Sequence, residues 1–264
     1  MIALTKVPAE KSTDINLFLI PGGPGLSSRT IRCLDLLSKA FNLYYIDFPG
    51  TNLNPYYGKQ SFQSISDSLA EVIQKIDGVN VVVGHSFGGL FACDLSCRID
   101  LRRLICLATP MSNKTLESAN FNYSTAALPL LKEKEELWKR NPSDETFKAW
   151  LSEYSYLYFT EEKILEGHNI LKNDLSSAQF FLDNRSDLNN YFSIFNQSKN
   201  KFREKILIAG EKDRLLPVLD LEADAIANNF SFKMVDNAGH FMMIDQPAEV
   251  ATIISNFILK SGEL

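Results

Sequence analysis

A serine in a glycine-flanked turn is the residue of this chain whose setting best suits nucleophilic chemistry. Ser86 is the centre of the sequence GHSFG at residues 84–88, which follows the apolar run 81–83. A nucleophilic serine at a strand-to-helix turn needs glycines two residues to either side, because side chains there would collide with the neighbouring strand and helix. The pattern predicts Ser86 as a nucleophile, and an ordinary glycine-rich turn is the alternative.

His240 is the best candidate for the general base that a serine nucleophile requires. Imidazole suits this role because its unperturbed pKa lies near neutrality. Of the three histidines, His85 adjoins the nucleophile and should point its side chain away from Ser86, whereas His168 is typical of a surface or helix end. His240 follows an apolar strand and precedes a terminal helix, an order that favours catalysis over a structural role.

The acid that orients the histidine should follow the strand before it in the chain. Residues 205–210 have the pattern of a buried strand, and Glu211 and Asp213 come shortly after it. A carboxylate at this point would fix the imidazole tautomer and stabilise the imidazolium as it forms. Both residues fit the position on these grounds alone.

A compact loop rich in glycine and proline follows the first apolar strand, in the sequence FLIPGGPG at residues 18–25. An acyl-transfer enzyme needs fixed backbone N–H donors for the oxyanion of its tetrahedral intermediate. Because Pro24 has no N–H, Gly23 is the natural donor, paired with the N–H of Phe87 just after the serine. A tight turn without a catalytic role is the alternative.

Short apolar runs bounded by turn residues alternate with helix-like patterns along most of the chain. This alternation predicts a doubly wound, mostly parallel α/β sheet covered on both faces. The predicted strands span residues 15–20, 43–47, 80–84, 103–108, 205–210 and 231–235. The predicted helices span residues 26–40, 61–76, 87–98, 219–228 and 248–259.

The alternation is interrupted by a stretch between about residues 111 and 200 that is rich in charged and aromatic residues. Its periodicity predicts helices at 130–140 and 144–158. A further helix is expected to run through residue 167, with Thr160 as its N-cap.

The chain has no linker-like segment, so residues 1–264 are expected to form a single domain with this stretch inserted as a helical cap. The cap should lie over the carboxyl edge of the sheet, where ligands bind in open α/β folds. Its Trp150, Tyr154 and Tyr158 are candidates for substrate binding, and packing of the cap onto the sheet is the alternative.

Composition and charge narrow the class of protein. The chain has 264 residues, 45% of them apolar, and a net charge of -5. Because no basic excess is available to neutralise phosphates, nucleic acid is not an expected partner. No apolar run reaches the roughly 18 residues of a membrane span, and the first residues lack the pattern of a secretory signal. A cytoplasmic protein acting on a small molecule is expected, and the oligomeric state is left open.

Neither a metal nor an organic cofactor is expected. The four cysteines form no CxxC pair and have no matching histidine cluster, so a zinc site is not predicted. Acyl transfer from a serine nucleophile needs neither kind of group.

The chain resembles the α/β-hydrolase family over residues 15–110 and 202–259. The resemblance is carried by GHSFGG at 84–89, GEKD at 210–213 and GHF at 239–241. It implies the α/β-hydrolase fold with a variable cap, a first antiparallel hairpin reduced or short, and Asp213 rather than Glu211 as the acid.

Within that family, the glycine loop resembles that of proline iminopeptidases and their esterase relatives. The chain departs from them at three places: Pro21 stands where they usually have histidine, Phe87 where iminopeptidases often have tryptophan, and DFPGT at 47–51 where they tend to carry Asp-Gln-Arg-Gly. These departures favour the esterases. A serine at position 86 disfavours epoxide hydrolases and haloalkane dehalogenases, which use aspartate.

The predicted function is a serine hydrolase that cleaves a carboxylic ester or thioester of a small to medium substrate through an acyl-enzyme. One alternative is an aminopeptidase of the proline iminopeptidase type, which would need cap carboxylates to hold the substrate amine. A lyase or synthase that uses the same residues is another. An alternative of a different class is a non-catalytic ligand receptor on the same fold. Among the carboxylates of the cap, Glu145, Glu153, Glu161 and Glu162 are available to hold that amine.

Overall fold

A computed structural model describes residues 2–185, 192 and 204–260 of the chain. The described residues contain a seven-stranded sheet with flanking helices. The strands are β1 (Ala3–Val7), β2 (Ile15–Ile20), β3 (Asn42–Asp47), β4 (Val79–His85), β5 (Arg103–Leu107), β6 (Lys205–Gly210) and β7 (Ser231–Val235). The predicted α/β class is confirmed.

The strand order across the sheet is β1-β3-β2-β4-β5-β6-β7. β1 is antiparallel to β3, and every other neighbouring pair is parallel. The loops after β2, β4, β6 and β7 therefore emerge at one edge of the sheet. The sequence pattern did not predict β1. The resemblance implied that the family's first antiparallel hairpin would be short or reduced to one strand, and β1 is a single strand at that place.

The central strands are buried on both faces, which explains their unbroken apolar sequences. Leu17, Phe18, Leu19 and Ile20 of β2 have no accessible surface. The sequences of such strands do not alternate between apolar and polar residues as those of half-exposed strands do. They are recognised instead by their length and by the turn residues around them.

A ladder of asparagine side chains joins three strands near their amino ends. Asn16 of β2 lies directly opposite Asn42 of β3 and Asn80 of β4 in the register of the sheet. The Nδ2 group of Asn16 donates to Oδ1 of Asn80 at 3.1 Å, and Nδ2 of Asn42 donates to Oδ1 of Asn16 at 3.3 Å. Each amide is thereby paired within the sheet, where burial would otherwise be costly.

The helices that flank the strands follow the predicted positions, with one change of type. Residues 28–39 form a long 3₁₀ helix, where an α-helix was predicted over 26–40. Bonds between residues three apart close both ends: the N–H of Thr30 donates to the carbonyl of Ser27, and that of Ala40 to Leu37. The other predicted flanking helices are α1 (Phe62–Gln74), α2 (Phe87–Arg98), α9 (Val218–Ala227) and α11 (Pro247–Leu259). One short helix, α10 (Met242–Asp245), was not predicted.

The chain between β5 and β6 is helical as far as the structure describes it. The part at 186–191 and 193–200 of the predicted cap lies outside the described residues. The helices in this segment are α3 (Asn113–Thr125), α4 (Pro129–Arg140), α5 (Asp144–Glu153), α6 (Ser155–Tyr158), α7 (Ile164–Lys172) and α8 (Ala178–Asn184).

Two predictions in this segment were wrong in detail. The helix predicted over 144–158 is divided into α5 and α6 at Tyr154. Thr160 does not cap a helix with its side chain: a short 3₁₀ turn (Glu161–Lys163) follows it, and its hydroxyl donates to Asp245 at 3.3 Å instead. At Thr160 a contact with another part of the fold replaced the local preference.

No helix among residues 2–185 and 204–260 combines the length and apolar character needed to cross a bilayer.

Gly89, in the first turn of α2, provides a test of how closely this helix packs against the residues that follow β5. A Cβ at Gly89 would overlap the side chain of Thr109 after β5, lying 2.6 Å from Cγ2. Alanine normally favours a helix over glycine by about 0.5–1 kcal/mol. Here we expect Gly89→Ala to lower the free energy of unfolding in urea by about 1–3 kcal/mol because the core is overpacked.

The control for Gly89→Ala is the same change in a Thr109→Gly background. The cost should shrink there, because the overlapping atoms are gone. A Gly89→Ala variant as stable as the wild type would contradict the packing described.

Candidate active site

Ser86 lies at the junction of β4 and α2, with the strand before it and the helix after it as the sequence predicted. Its backbone has φ 50 and ψ -120, a conformation that non-glycine residues rarely adopt. Its N–H donates to the carbonyl of Leu107 at 2.7 Å, and its own carbonyl accepts from the N–H of Gly89 at 2.9 Å. These bonds hold the half-buried serine at the carboxyl edge of the sheet.

The glycines of this turn are needed for close backbone contacts. A Cβ at Gly84 would overlap the carbonyl oxygen of Gly88, and a Cβ at Gly88 would overlap that of Pro21. The glycine loop therefore lies directly against the turn that carries Ser86. Any larger residue would push these backbone segments apart.

His240 and Asp213 form a buried hydrogen-bonded pair. Nδ1 of His240 lies 2.7 Å from Oδ2 of Asp213. The other carboxylate oxygen of Asp213 accepts the N–H groups of Leu215 and Leu216, each at 2.9 Å. A carboxylate oxygen accepts, so this geometry assigns a proton to Nδ1, and in the tautomer that serves as a base Nε2 then carries the lone pair. Glu211, the alternative acid, instead accepts the N–H of Asn237 at 3.0 Å on the surface.

The turn with Ser86 and the loop with His240 meet through the residue next to the serine. Nε2 of His85 lies 3.1 Å from the backbone carbonyl of His240, and its ring packs 4.4 Å from that of Phe241. Among the described residues, no hydrogen bond joins the side chains of Ser86 and His240. Such bonds are often long before substrate binds and tighten in the reacting complex.

Sequence reasoning set His85 aside as a base and missed its contact with the backbone of His240. His85 is 1% exposed, and burial followed by the nearby His240 lowers its pKa well below the ordinary range. It is therefore neutral at pH 7 and donates through Nε2 to the His240 carbonyl, while Nδ1 has no hydrogen-bond partner in the described chain. The contact depends on a residue 155 positions away, so no local pattern reveals it.

The predicted oxyanion donors belong to the two backbone segments that meet at Ser86. A Cβ at Gly22 would lie 3.1 Å from the Cβ of Ser86, and Gly23 is the next residue of that loop. Gly23 is half-buried with φ 120 and is joined to Pro24 by a cis peptide bond. Phe87 is the first residue of α2, so its N–H belongs to the helix N-terminus, where partial positive charge favours an anion.

Two buried carboxylates hold the chain that follows the glycine loop. Asp174 accepts the N–H of Ser27 at 3.0 Å and also its hydroxyl, and Asp47 accepts the N–H and hydroxyl of Ser28 at 2.8 and 2.9 Å. Burial raises the pKa of Asp174 to about 6, and the bonds from Ser27 only partly oppose this effect. Asp174 lies between α7 and α8, so the inserted helices are fastened directly to the glycine loop.

The three predicted substrate-binding aromatics differ in their distance from the site. The ring of Tyr158 stacks on the imidazole of His240, with centroids 4.8 Å apart and planes at 22°. Tyr154 stacks on Tyr158 at 5.1 Å, and Trp150 meets Tyr154 edge-on at 5.1 Å. Trp150 also stacks on Trp138 at 4.7 Å and is 5% exposed, so it packs among the inserted helices. Tyr158 is the one of the three that touches a predicted catalytic residue.

In residues 2–185, 192 and 204–260, no three side chains of His, Cys, Asp or Glu converge as ligands of a metal ion would.

Comparison with known proteins gives one family and a shared architecture. The family described as "Alpha/beta hydrolase family" matches residues 17–253. A thermophilic esterase from Thermogutta terrifontis has a TM-score of 0.75 at 16% identity, over 98% of this chain and 93% of that one. MenH from S. aureus has a TM-score of 0.69 at 17% identity, over 97% of both chains. A monoacylglycerol lipase from Paleococcus ferrophilus has a TM-score of 0.67 at 15% identity, over 98% of both. No curated protein sequence matches.

Because the pKa of the buried Asp174 carboxyl is raised, we expect the stability of the protein to depend on pH. An asparagine amide at this position does not titrate and would not cause this dependence. The folded-state pKa of Asp174, about 6, lies above the ordinary value of 3.8, so folding takes up a proton between these values. Stability from this group is complete below pH 3.8 and is lost as the pH rises through 6. The loss amounts to roughly 3 kcal/mol.

The measurement is urea unfolding of the wild type and Asp174→Asn at about pH 4 and about pH 7.5. The free energy of unfolding of the variant, minus that of the wild type, should increase between the acidic and the neutral condition. Other acids cancel in this difference. A difference that stays constant with pH would show that Asp174 titrates normally.

Proposed function

This chain belongs to the alpha/beta hydrolase family, and from that premise we propose that it is a serine hydrolase with Ser86 as nucleophile. Its substrate is a carboxylic ester or thioester of small to medium size. The inserted helices between β5 and β6 act as the cap of a single domain, and Trp150, Tyr154 and Tyr158 belong to it. The observation that supports the proposal is the buried His240–Asp213 pair, together with a serine in a strained strand-to-helix turn whose neighbour His85 contacts the backbone of His240.

The first half of the reaction acylates the serine. Ser86 Oγ attacks the carbonyl carbon as Nε2 of His240 removes its proton, and the alcohol or thiol leaves with that proton. Oδ2 of Asp213, 2.7 Å from Nδ1 of His240, accepts the Nδ1–H hydrogen bond and stabilises the imidazolium while it exists. The N–H groups of Gly23 and Phe87 bind the oxyanion of the tetrahedral intermediate.

The second half releases the acid. A water molecule gives a proton to Nε2 of His240 and attacks the acyl carbon, and the serine oxygen leaves with the proton returned from the imidazole. The neutral state of His85 supports this cycle, since a second cation beside His240 would oppose formation of the imidazolium.

The disposition of the cap carboxylates favours an ester over the N-terminal amine of a peptide. Glu145 and Glu162 are exposed, and Glu161 is exposed and pairs with Arg214 at 3.2 Å. Glu153 is buried but pairs with Lys134 at 3.3 Å. A carboxylate that is already neutralised binds a substrate ammonium weakly. The names of the similar structures, an esterase and a lipase among them, point the same way.

Removal of the nucleophile is the direct test. The wild type should react covalently with a fluorophosphonate probe, and Ser86→Ala should lose both this labelling and hydrolysis, because no other residue completes the acyl-enzyme. Circular dichroism should show the variant folded. Labelling that persists in Ser86→Ala would overturn the assignment of the nucleophile.

A substrate panel distinguishes the remaining activities. We expect the wild type to turn over p-nitrophenyl esters and thioesters and to leave a proline arylamide untouched, with Ser86→Ala as the background for each. Steady-state turnover should follow any initial burst. Preferential hydrolysis of the arylamide would favour an aminopeptidase. A single turnover accompanied by a large ligand-induced rise in Tm would favour a receptor.

A further inference from the structure

The loop that carries His240 is held by a short turn of the inserted helices. We name residues 158–160 the tyrosine turn and residues 239–241 the histidine loop. The tyrosine turn begins at the last residue of α6 and ends just before the following 3₁₀ turn, whereas the histidine loop follows β7. The two segments are some 80 residues apart in the chain, yet each residue of the tyrosine turn contacts the histidine loop or the residue that caps it.

The backbones of the two segments are in direct contact. The N–H of Phe241 donates to the carbonyl of Tyr158 at 3.3 Å. A Cβ at Gly239 would overlap the same carbonyl oxygen. The absence of a side chain at Gly239 therefore allows the backbone of the inserted helices to lie against the histidine loop. This contact fixes the position of the histidine loop relative to Tyr158.

A buried carboxylate bridges the same two segments. One oxygen of Asp245 accepts the N–H of Gly239 at 2.7 Å, and the other accepts the hydroxyl of Thr160 at 3.3 Å. Asp245 is 8% exposed, and this burial raises the pKa of its carboxyl. Its position fixes the start of the histidine loop against the end of the tyrosine turn.

The ring of Tyr158 completes the enclosure of the imidazole. It covers one face of His240 at 4.8 Å, while Asp213 takes Nδ1 and His85 takes the backbone carbonyl. An aromatic face beside an imidazole restricts its rotation, and it attracts the ring more strongly once a proton has made it cationic. The phenol hydroxyl has no part in this contact.

We propose that Tyr158 is a positioning residue for His240, so that the inserted helices supply part of the catalytic geometry as well as covering the site. The inference rests on the proposed function, in which His240 is the base. A positioning residue should change the rate of the chemical steps by the same factor for every acyl group. A residue that lines the substrate pocket would instead change the affinity for substrates and the preference among them.

The test compares Tyr158→Leu with Tyr158→Phe, and Tyr156→Leu is the matched control. Tyr156 belongs to the same short helix, and its side chain is 40% exposed. The measurements are kcat and KM for p-nitrophenyl acetate and p-nitrophenyl hexanoate, and the rate of inactivation by phenylmethanesulfonyl fluoride. All variants are checked for folding by thermal unfolding.

Tyr158→Leu should lower kcat for both esters and the inactivation rate by a common factor of about 10- to 100-fold, with KM nearly unchanged. Tyr158→Phe should restore most of the loss because it keeps the ring, and Tyr156→Leu should match the wild type. A change in KM or in the preference between the two esters, with a normal inactivation rate, would make Tyr158 a pocket residue and overturn the inference. So would equal loss in Tyr158→Phe.

If Tyr158→Leu does not fold, Thr160→Val provides the same test through the carboxylate bridge. It removes the hydroxyl that reaches Asp245 with little change of shape, and should lower kcat several-fold at constant KM. An unchanged kcat would overturn the inference. Failure of the proposed function has a separate signature, because wild-type hydrolysis would then be absent or would survive Ser86→Ala.

Discussion

The close approach of backbone segments around Ser86 governs the geometry of the whole site. The loop after β2 packs against the first turn of α2 so tightly that Gly22 and Gly88 leave no room for a Cβ. The serine between β4 and α2 must then adopt φ 50 to make the turn. Such a conformation costs about 1–3 kcal/mol and persists only because the surrounding structure fixes it. The fully buried central strands supply that rigidity.

The histidine is held in a different way, by contacts from several parts of the chain. Asp213 follows β6, His85 ends β4, and Tyr158 comes from the inserted helices, yet all three touch His240. The serine is positioned by backbone sterics, while the imidazole is positioned by hydrogen bonds and one aromatic face. In the proposed mechanism Nε2 of His240 accepts and returns a proton, so its surroundings must tolerate both charge states. The neutral ring of His85 and the hydrogen bond to Asp213 suit that requirement.

Local pattern predicted those features that local physics determines. The parallel strands were evident from their apolar runs, and the turn at Ser86 from its glycines, because both depend on residues adjacent in sequence. Asp213 could be separated from Glu211 only by resemblance, since both follow the same strand. The role of His85 and the use of the Thr160 hydroxyl by Asp245 escaped prediction, because each depends on a tertiary contact over a long sequence separation.

The asparagine ladder near the amino ends of the strands bears on how the chain folds correctly. Parallel strands with unbroken apolar sequences can slide past one another with little loss of hydrophobic burial, so their own side chains specify alignment weakly. A shift of one residue in the register would turn Asn16 to the opposite face of the sheet from Asn42 and Asn80. Its side-chain amide would then lose both hydrogen-bond partners, at a cost of about 1–3 kcal/mol. Three polar side chains thus discourage misaligned sheets during folding. The same alignment matters at the carboxyl ends of the strands, because β2 and β4 must end at the same height for the glycine loop to contact the turn with Ser86.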